Sequence, residues 1–204
     1  MKQKNDARNG ENMSEVKKMI LAAVSAALCV IIPQTFHIIP NAGSVFCPMH
    51  LPVLLCGLIC GWQYGVLCGI VGPFLSFLLT GMPPAAMLLP MMVECATYGG
   101  VSGALMKVVR SGRIYVDLYV CLISAMLFGR IVAGVAKALI FARGAMTMQM
   151  WVTAHFVTSF PGIIVHLLLI PTIVYALMKA HLIPMRYGTT DSLSRVAHKE
   201  KIAS

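Results

Sequence analysis

Glu94, Arg130 and Lys137 are charged side chains well inside long apolar runs of this chain. A charge near the centre of a bilayer costs roughly 2.5–3.5 kcal/mol on insertion scales, so each needs a partner or a watery cavity. Glu94 lies about ten residues into its run, about 15 Å deep by helical rise. Arg130 stands thirteen residues before Arg143, about 19 Å deep by the same rise. The depths match, so Glu94 and Arg130 are expected to meet. Lys137 is seven residues beyond Arg130, on the same helical face and nearer the outside. Two arrangements stay open. A Glu94–Arg130 pair would only fix one helix against the next. Alternatively, Arg130 and Lys137 face an anionic ligand group in an outward-opening cavity, and Glu94 orients one of them. Two cations for one acid favour the cavity, because one positive charge is left over.

Other groups are placed to join them. Tyr98 is one helical turn beyond Glu94. His155 and His166, eleven residues apart, would share a face of a continuous last helix, either as ligand groups or as bonds between helices. Asn41 and His50 border the loop before the second apolar run, and Trp151 and Tyr64 fit membrane-interface anchors. Met82, Met87, Met91 and Met92, with Cys47 and His50 nearby, could serve a soft metal. Methionine is more ordinarily an apolar filler, so no metal is assigned. No phosphate-binding loop, His-Glu-x-x-His or Gly-x-Ser-x-Gly motif occurs. The chain is therefore read as neither an enzyme nor a cofactor binder.

The elements that must hold these residues are apolar helices. Of 204 residues, 11% are charged and 58% are hydrophobic, with mean hydropathy +0.82. Soluble domains carry about 25% charge. Between Met19 and Met106 the one charged side chain is Glu94. Water cannot solvate such a stretch, which excludes a soluble enzyme, a nucleic-acid binder and a disordered protein; the bilayer is the solvent. Six helices are expected, over 19–35, 49–62, 64–80, 85–109, 114–141 and 152–178. The second and third come from one run of about 45 Å at helical rise, too long for a ~30 Å core. The break is placed at 61–64, and Gly81-Met82-Pro83-Pro84 makes the next turn. Residues 1–18 and 181–204 are read as polar cytoplasmic tails around a transmembrane domain at 19–180. The N-terminal run has no convincing cleavage site and is read as a retained helix.

With six spans and both ends in the cytoplasm, all but Arg130, Lys137 and Arg143 of the sixteen Lys/Arg fall inside. That is the positive-inside pattern of a multi-pass plasma-membrane protein. It accounts for most of the net charge of +9 through contact with anionic lipid, so no nucleic-acid partner is needed. Gly57, Gly61, Gly65 and Gly69 recur every four residues, with Gly72 after them. On a helix they form a flat stripe for close packing, inside the monomer or with a partner. Ala22/Ala26 and Ala23/Ala27 make a second small-residue stripe in the first helix. The seven cysteines lack paired spacing and read as small apolar fillers.

The stretch HLPVLLCGLICGWQYGVLCGIVGPFLSFLLTGMPP at 50–84 resembles the second and third helices of substrate-binding (S) components of energy-coupling-factor (ECF) transporters. MLLPMMVECATYGGVSGAL at 87–105 is similar to their fourth helix, and the alanine pairs resemble the motif that docks the coupling subunit. The resemblance covers about residues 15–180 and implies an all-α bundle of six transmembrane helices. It further implies high-affinity capture of a vitamin-like micronutrient from outside. Partners would be two ATPase subunits and one transmembrane coupling subunit, with toppling in the membrane to release the ligand inside. Asn41, His50, Glu94, Tyr98, Arg130, Lys137, Trp151 and His155 would then line the ligand zone. The micronutrient is expected to be anionic, such as pantothenate, a folate or a queuosine precursor. Two readings from other classes remain: a stand-alone channel or facilitator, and a structural assembly subunit.

Overall fold

The computed structural model describes residues 13–36, 42–138 and 148–184. Every element among them is helical. Helix α1, Glu15–Thr35, starts at Ser14, whose hydroxyl accepts from the Lys17 amide at 3.3 Å. That bond satisfies one of the donors every helix start leaves open. A short α2, Ala42–Phe46, precedes α3, His50–Cys60, and α4, Trp62–Thr80. Then come α5, Ala85–Val108, and α6, Ile114–Ala136. The last part is α7, Met148–Val152, a widened turn at Thr153–Val157, and α8, Phe160–Lys179. By length and composition, α1, α4, α6 and α8 can cross a membrane. Helix α3 has 11 residues, about 16 Å at helical rise, and is too short for a full span.

The second apolar run breaks at Gly61, the first residue of the expected 61–64. Gly61 has φ 97° and ψ 173°, a conformation suited to glycine, and it ends α3 and opens α4. The chain reverses there. A Cβ placed on Gly65 would stand 2.8 Å from Gly57 Cα, although a straight helix would hold these residues about 12 Å apart. The glycine ladder is therefore not one flat stripe. Its two arms close on α5, which supplies glycines of its own: a Cβ on Gly65 would stand 2.6 Å from the Gly99 carbonyl carbon, and one on Gly103 2.6 Å from that of Gly61. Backbone meets backbone, and the ladder is spent inside the monomer.

Helix α5 is the hub, packed against α3, α4 and α6; α1 covers α3 and α4, and α8 lies against α3 and α6. Six of the seven cysteines are buried, and none forms a disulfide. At the Gly61 end, Tyr64 donates to Glu15 at 2.9 Å, Lys18 pairs with Glu15 at 2.7 Å, and Lys107 lies beside Gly61. The loop between α5 and α6 is fastened by Asp117, which is fully buried and accepts from the Ser111 amide at 2.9 Å and its hydroxyl at 2.6 Å. Asp117→Ala should lower stability by about 1–3 kcal/mol, because it strips these donors of their acceptor. A thermal midpoint in detergent checks it; an unchanged midpoint would show the fastening to be idle.

The sixth predicted helix is not continuous from residue 152. The Thr158 amide bonds the Thr153 carbonyl at 2.8 Å, one residue further along than in an α-helix, and the path then breaks at Ser159. Pro161 causes the restart: its ring has no N–H to give an upstream turn, but it fits the first turn of a new helix. The argument that His155 and His166 share one face needs an unbroken helix, so it fails.

Candidate functional site

The polar side chains gather where α3, α5, α6 and α8 converge. Glu94 on α5 is buried, at 7% exposure, and accepts the Tyr98 hydroxyl at 2.8 Å. Their spacing of one turn makes this bond local to α5. The Tyr98 ring is fully buried and lies on Gly129 of α6, where a Cβ would run into it. The next residue, Arg130, is 2% exposed. Its Nη1 donates to the Ser159 hydroxyl at 2.8 Å, and its guanidinium carbon lies 5.6 Å from the centre of the Phe156 ring. The Tyr98 hydroxyl stands within the electrostatic reach of both Glu94 and Arg130, so the acid and the base converge on one phenol.

Two histidines close the other side. His50, in the first turn of α3, meets the Tyr98 ring edge-on, with centroids 4.8 Å apart. His166 of α8 is 6.2 Å from His50, ring to ring. His166 is 1% exposed, and its Nδ1 has no hydrogen-bond partner among the described residues. The Arg130 Nε is in the same condition. Buried donors and acceptors are normally paired, so such atoms mark a place where a ligand can supply the partner. Cys47, at the mouth of α3 and outside the long helices, completes the rim; burial pushes its thiol up to about 12, with Glu94 adding to the effect. It stays protonated at neutral pH and is a poor nucleophile. Among the described residues no group of three His, Cys, Asp or Glu is close enough for a metal.

The structure therefore brings together His50, Glu94, Tyr98 and Arg130 from the expected set. Lys137 stands half-buried just past the end of α6, seven residues beyond Arg130. Asn41 lies outside the described residues, as do the side chains of Trp151 and His155. Ser159, Phe156 and Gly129 were not legible as site residues. The Ser-Phe-Pro at 159–161 is a helix-start signal that could have located the break and, with it, Ser159. The alanines of α1 divide: Ala22 and Ala26 pack half-buried against the core, and Ala23 and Ala27 stay exposed.

A family model described as "ECF transporter, substrate-specific component" matches residues 17–174. The chain belongs to this family. No curated protein and no solved structure matches it. As an ECF substrate-specific component, it is a multi-pass membrane protein and a transport subunit, not an enzyme in itself. Membership also brings association with an ECF module. The match runs from the start of α1 into α8 and so includes every side chain of the cluster just described.

Proposed function

We propose that this substrate-specific component captures a small anionic, vitamin-like micronutrient at the Glu94–Tyr98–Arg130 cluster and passes it inward with a partner ATPase module. The observation that carries the reading is the buried Arg130, whose Nε, like the Nδ1 of His166 in the same site, has no hydrogen-bond partner among the described residues. A carboxylate is a natural acceptor for a guanidinium. Lys137, just past the end of the same helix, adds positive potential on the approach to Arg130. His50 and Tyr98 offer ring faces for an apolar part of the molecule.

The side of the membrane follows from the bases. Lys18 and Lys107 share the Gly61 end with the start of α1. Placing that end in the cytoplasm satisfies the positive-inside rule and puts both termini there. Two ATPase subunits and a coupling subunit would power the transfer. The exposed Ala23 and Ala27 present a flat strip for the coupling subunit, while Ala22 and Ala26 are engaged with the core. Ala23→Leu combined with Ala27→Leu is expected to abolish uptake and leave ligand binding within about twofold, since the strip faces away from the cluster. Uptake that survives both leucines would remove this docking assignment.

The decisive experiment is mass spectrometry of the small molecule that copurifies with the protein in detergent. One tightly held compound with a carboxylate is the expected result. A protein that holds none, yet conducts solutes in vesicles without ATPase subunits, would overturn the capture reading.

A further inference from the structure

We infer that Ser159 and Phe156 are positioning residues for ligand capture: the broken turn between α7 and α8 holds the Arg130 guanidinium in one orientation, so that its Nε–H meets an acceptor oxygen of the captured molecule. The inference rests on the reading of Arg130 as a ligand-binding residue. Ser159 stands at the position before the first turn of α8, where a serine hydroxyl ordinarily caps the helix by accepting a backbone amide. Here it makes no such bond. Pro161, the second helical residue, has no N–H to offer a cap. The hydroxyl accepts from Arg130 Nη1 at 2.8 Å, and the residue is 3% exposed.

The residues just before it supply the second restraint. The extra residue in the Thr153–Val157 turn shifts the register so that Phe156 reaches the guanidinium at 5.6 Å and Ser159 reaches Nη1. A regular helix would carry the two residues, three apart, to one face about one turn from each other. The break instead lets Phe156 bring its ring face to the cation and Ser159 its hydroxyl to Nη1. With these two contacts made, the Nε–H is left buried and without a partner among the described residues. The arrangement is anchored from outside: a Cβ on Gly162 would stand 2.6 Å from the Val45 carbonyl oxygen and 2.8 Å from that of Phe46, so α2 presses on the first turn of α8. An arginine held this way loses less rotamer freedom when a ligand arrives, which is the usual source of affinity from preorganisation.

The test uses full-length protein purified from cells, with the copurifying small molecule, quantified by native mass spectrometry and then extracted, as the titration probe. Ser159→Ala should weaken the probe's affinity about tenfold, the scale of one lost hydrogen bond to a charged group. Ser159→Thr keeps a hydroxyl and should stay within about threefold. Phe156→Leu should fall between these. The thermal midpoint of probe-free protein should fall modestly in Ser159→Ala, because the buried Arg130 Nη1 loses an acceptor, so the affinity is what separates positioning from packing. A wild-type affinity in Ser159→Ala, together with a loss in Arg130→Ala, would overturn this inference and leave the capture reading intact. So would a lowered midpoint with unchanged affinity, which is what a merely structural serine gives. Probe retained by Arg130→Ala, or a wild-type protein that carries no small molecule, would overturn both.

Discussion

Gly99→Val should yield no folded, monodisperse protein in detergent. Helix α5 passes the Gly61 turn with backbone against backbone: a Cβ on Gly99 would stand 2.8 Å from Gly65 Cα, and the Gly65 carbonyl is nearer still. Overpacking a core usually costs about 1–3 kcal/mol, because side chains can give way. Here the obstacle is the backbone of α4 at the point where α3 and α4 are joined, so relief requires the whole hairpin to leave α5. That would break the contact on which Glu94 and Tyr98 depend for their position. Gly43→Ala is the control: nothing lies within 4 Å of its Cβ position, and the effect should stay within about 0.5 kcal/mol. Size-exclusion profiles and thermal midpoints of the two variants decide it. A Gly99→Val protein that elutes and melts like the parent would refute the packing account.

Arg130→Ala should weaken ligand affinity by at least about 30-fold while the protein still reaches the membrane. Removing one member of a buried, hydrogen-bonded charge set costs about 2–5 kcal/mol, partly because the remaining groups lose their partner. Arg130 is 2% exposed, bonded to Ser159 and close to the Tyr98–Glu94 pair, so water cannot readily replace it. Lysine at the same position should recover only part of the loss. Its ammonium is a point charge and offers no planar side to a carboxylate. Titration of the purified variants with the extracted micronutrient reads the change. If affinity is unaltered and only expression falls, Arg130 serves helix packing and the anionic-ligand reading fails.

Much of the fold was legible because the deciding quantity is local. A residue's cost in hydrocarbon depends mostly on its own chemistry, so apolar runs located the first four helices to within a few residues, and the need for a breaker near Gly61 followed from length. The rare charges stood out for the same reason, and Glu94, Tyr98, Arg130 and His50 do come together. The less legible parts depend on how helices meet. The spacing of Gly57, Gly61, Gly65 and Gly69 suggested one stripe, yet the reversal at Gly61 turned it into two arms around α5. The two His residues of the last run looked aligned because a periodic argument assumes an unbroken helix.

Sequence alone thus determined the solvent of this protein, its all-helical class and the polar residues that need company within the helices. Tertiary structure decided the company. Glu94 received the Tyr98 hydroxyl, and Arg130 received Ser159 and Phe156 from a turn whose extra residue no hydropathy period contains. The physical reason is one of scale. Burial energy adds up residue by residue and can be read along a chain, whereas a hydrogen bond between helices requires heavy atoms to lie within about 3 Å, and that is set by crossing angles, turns and glycine contacts far apart in sequence.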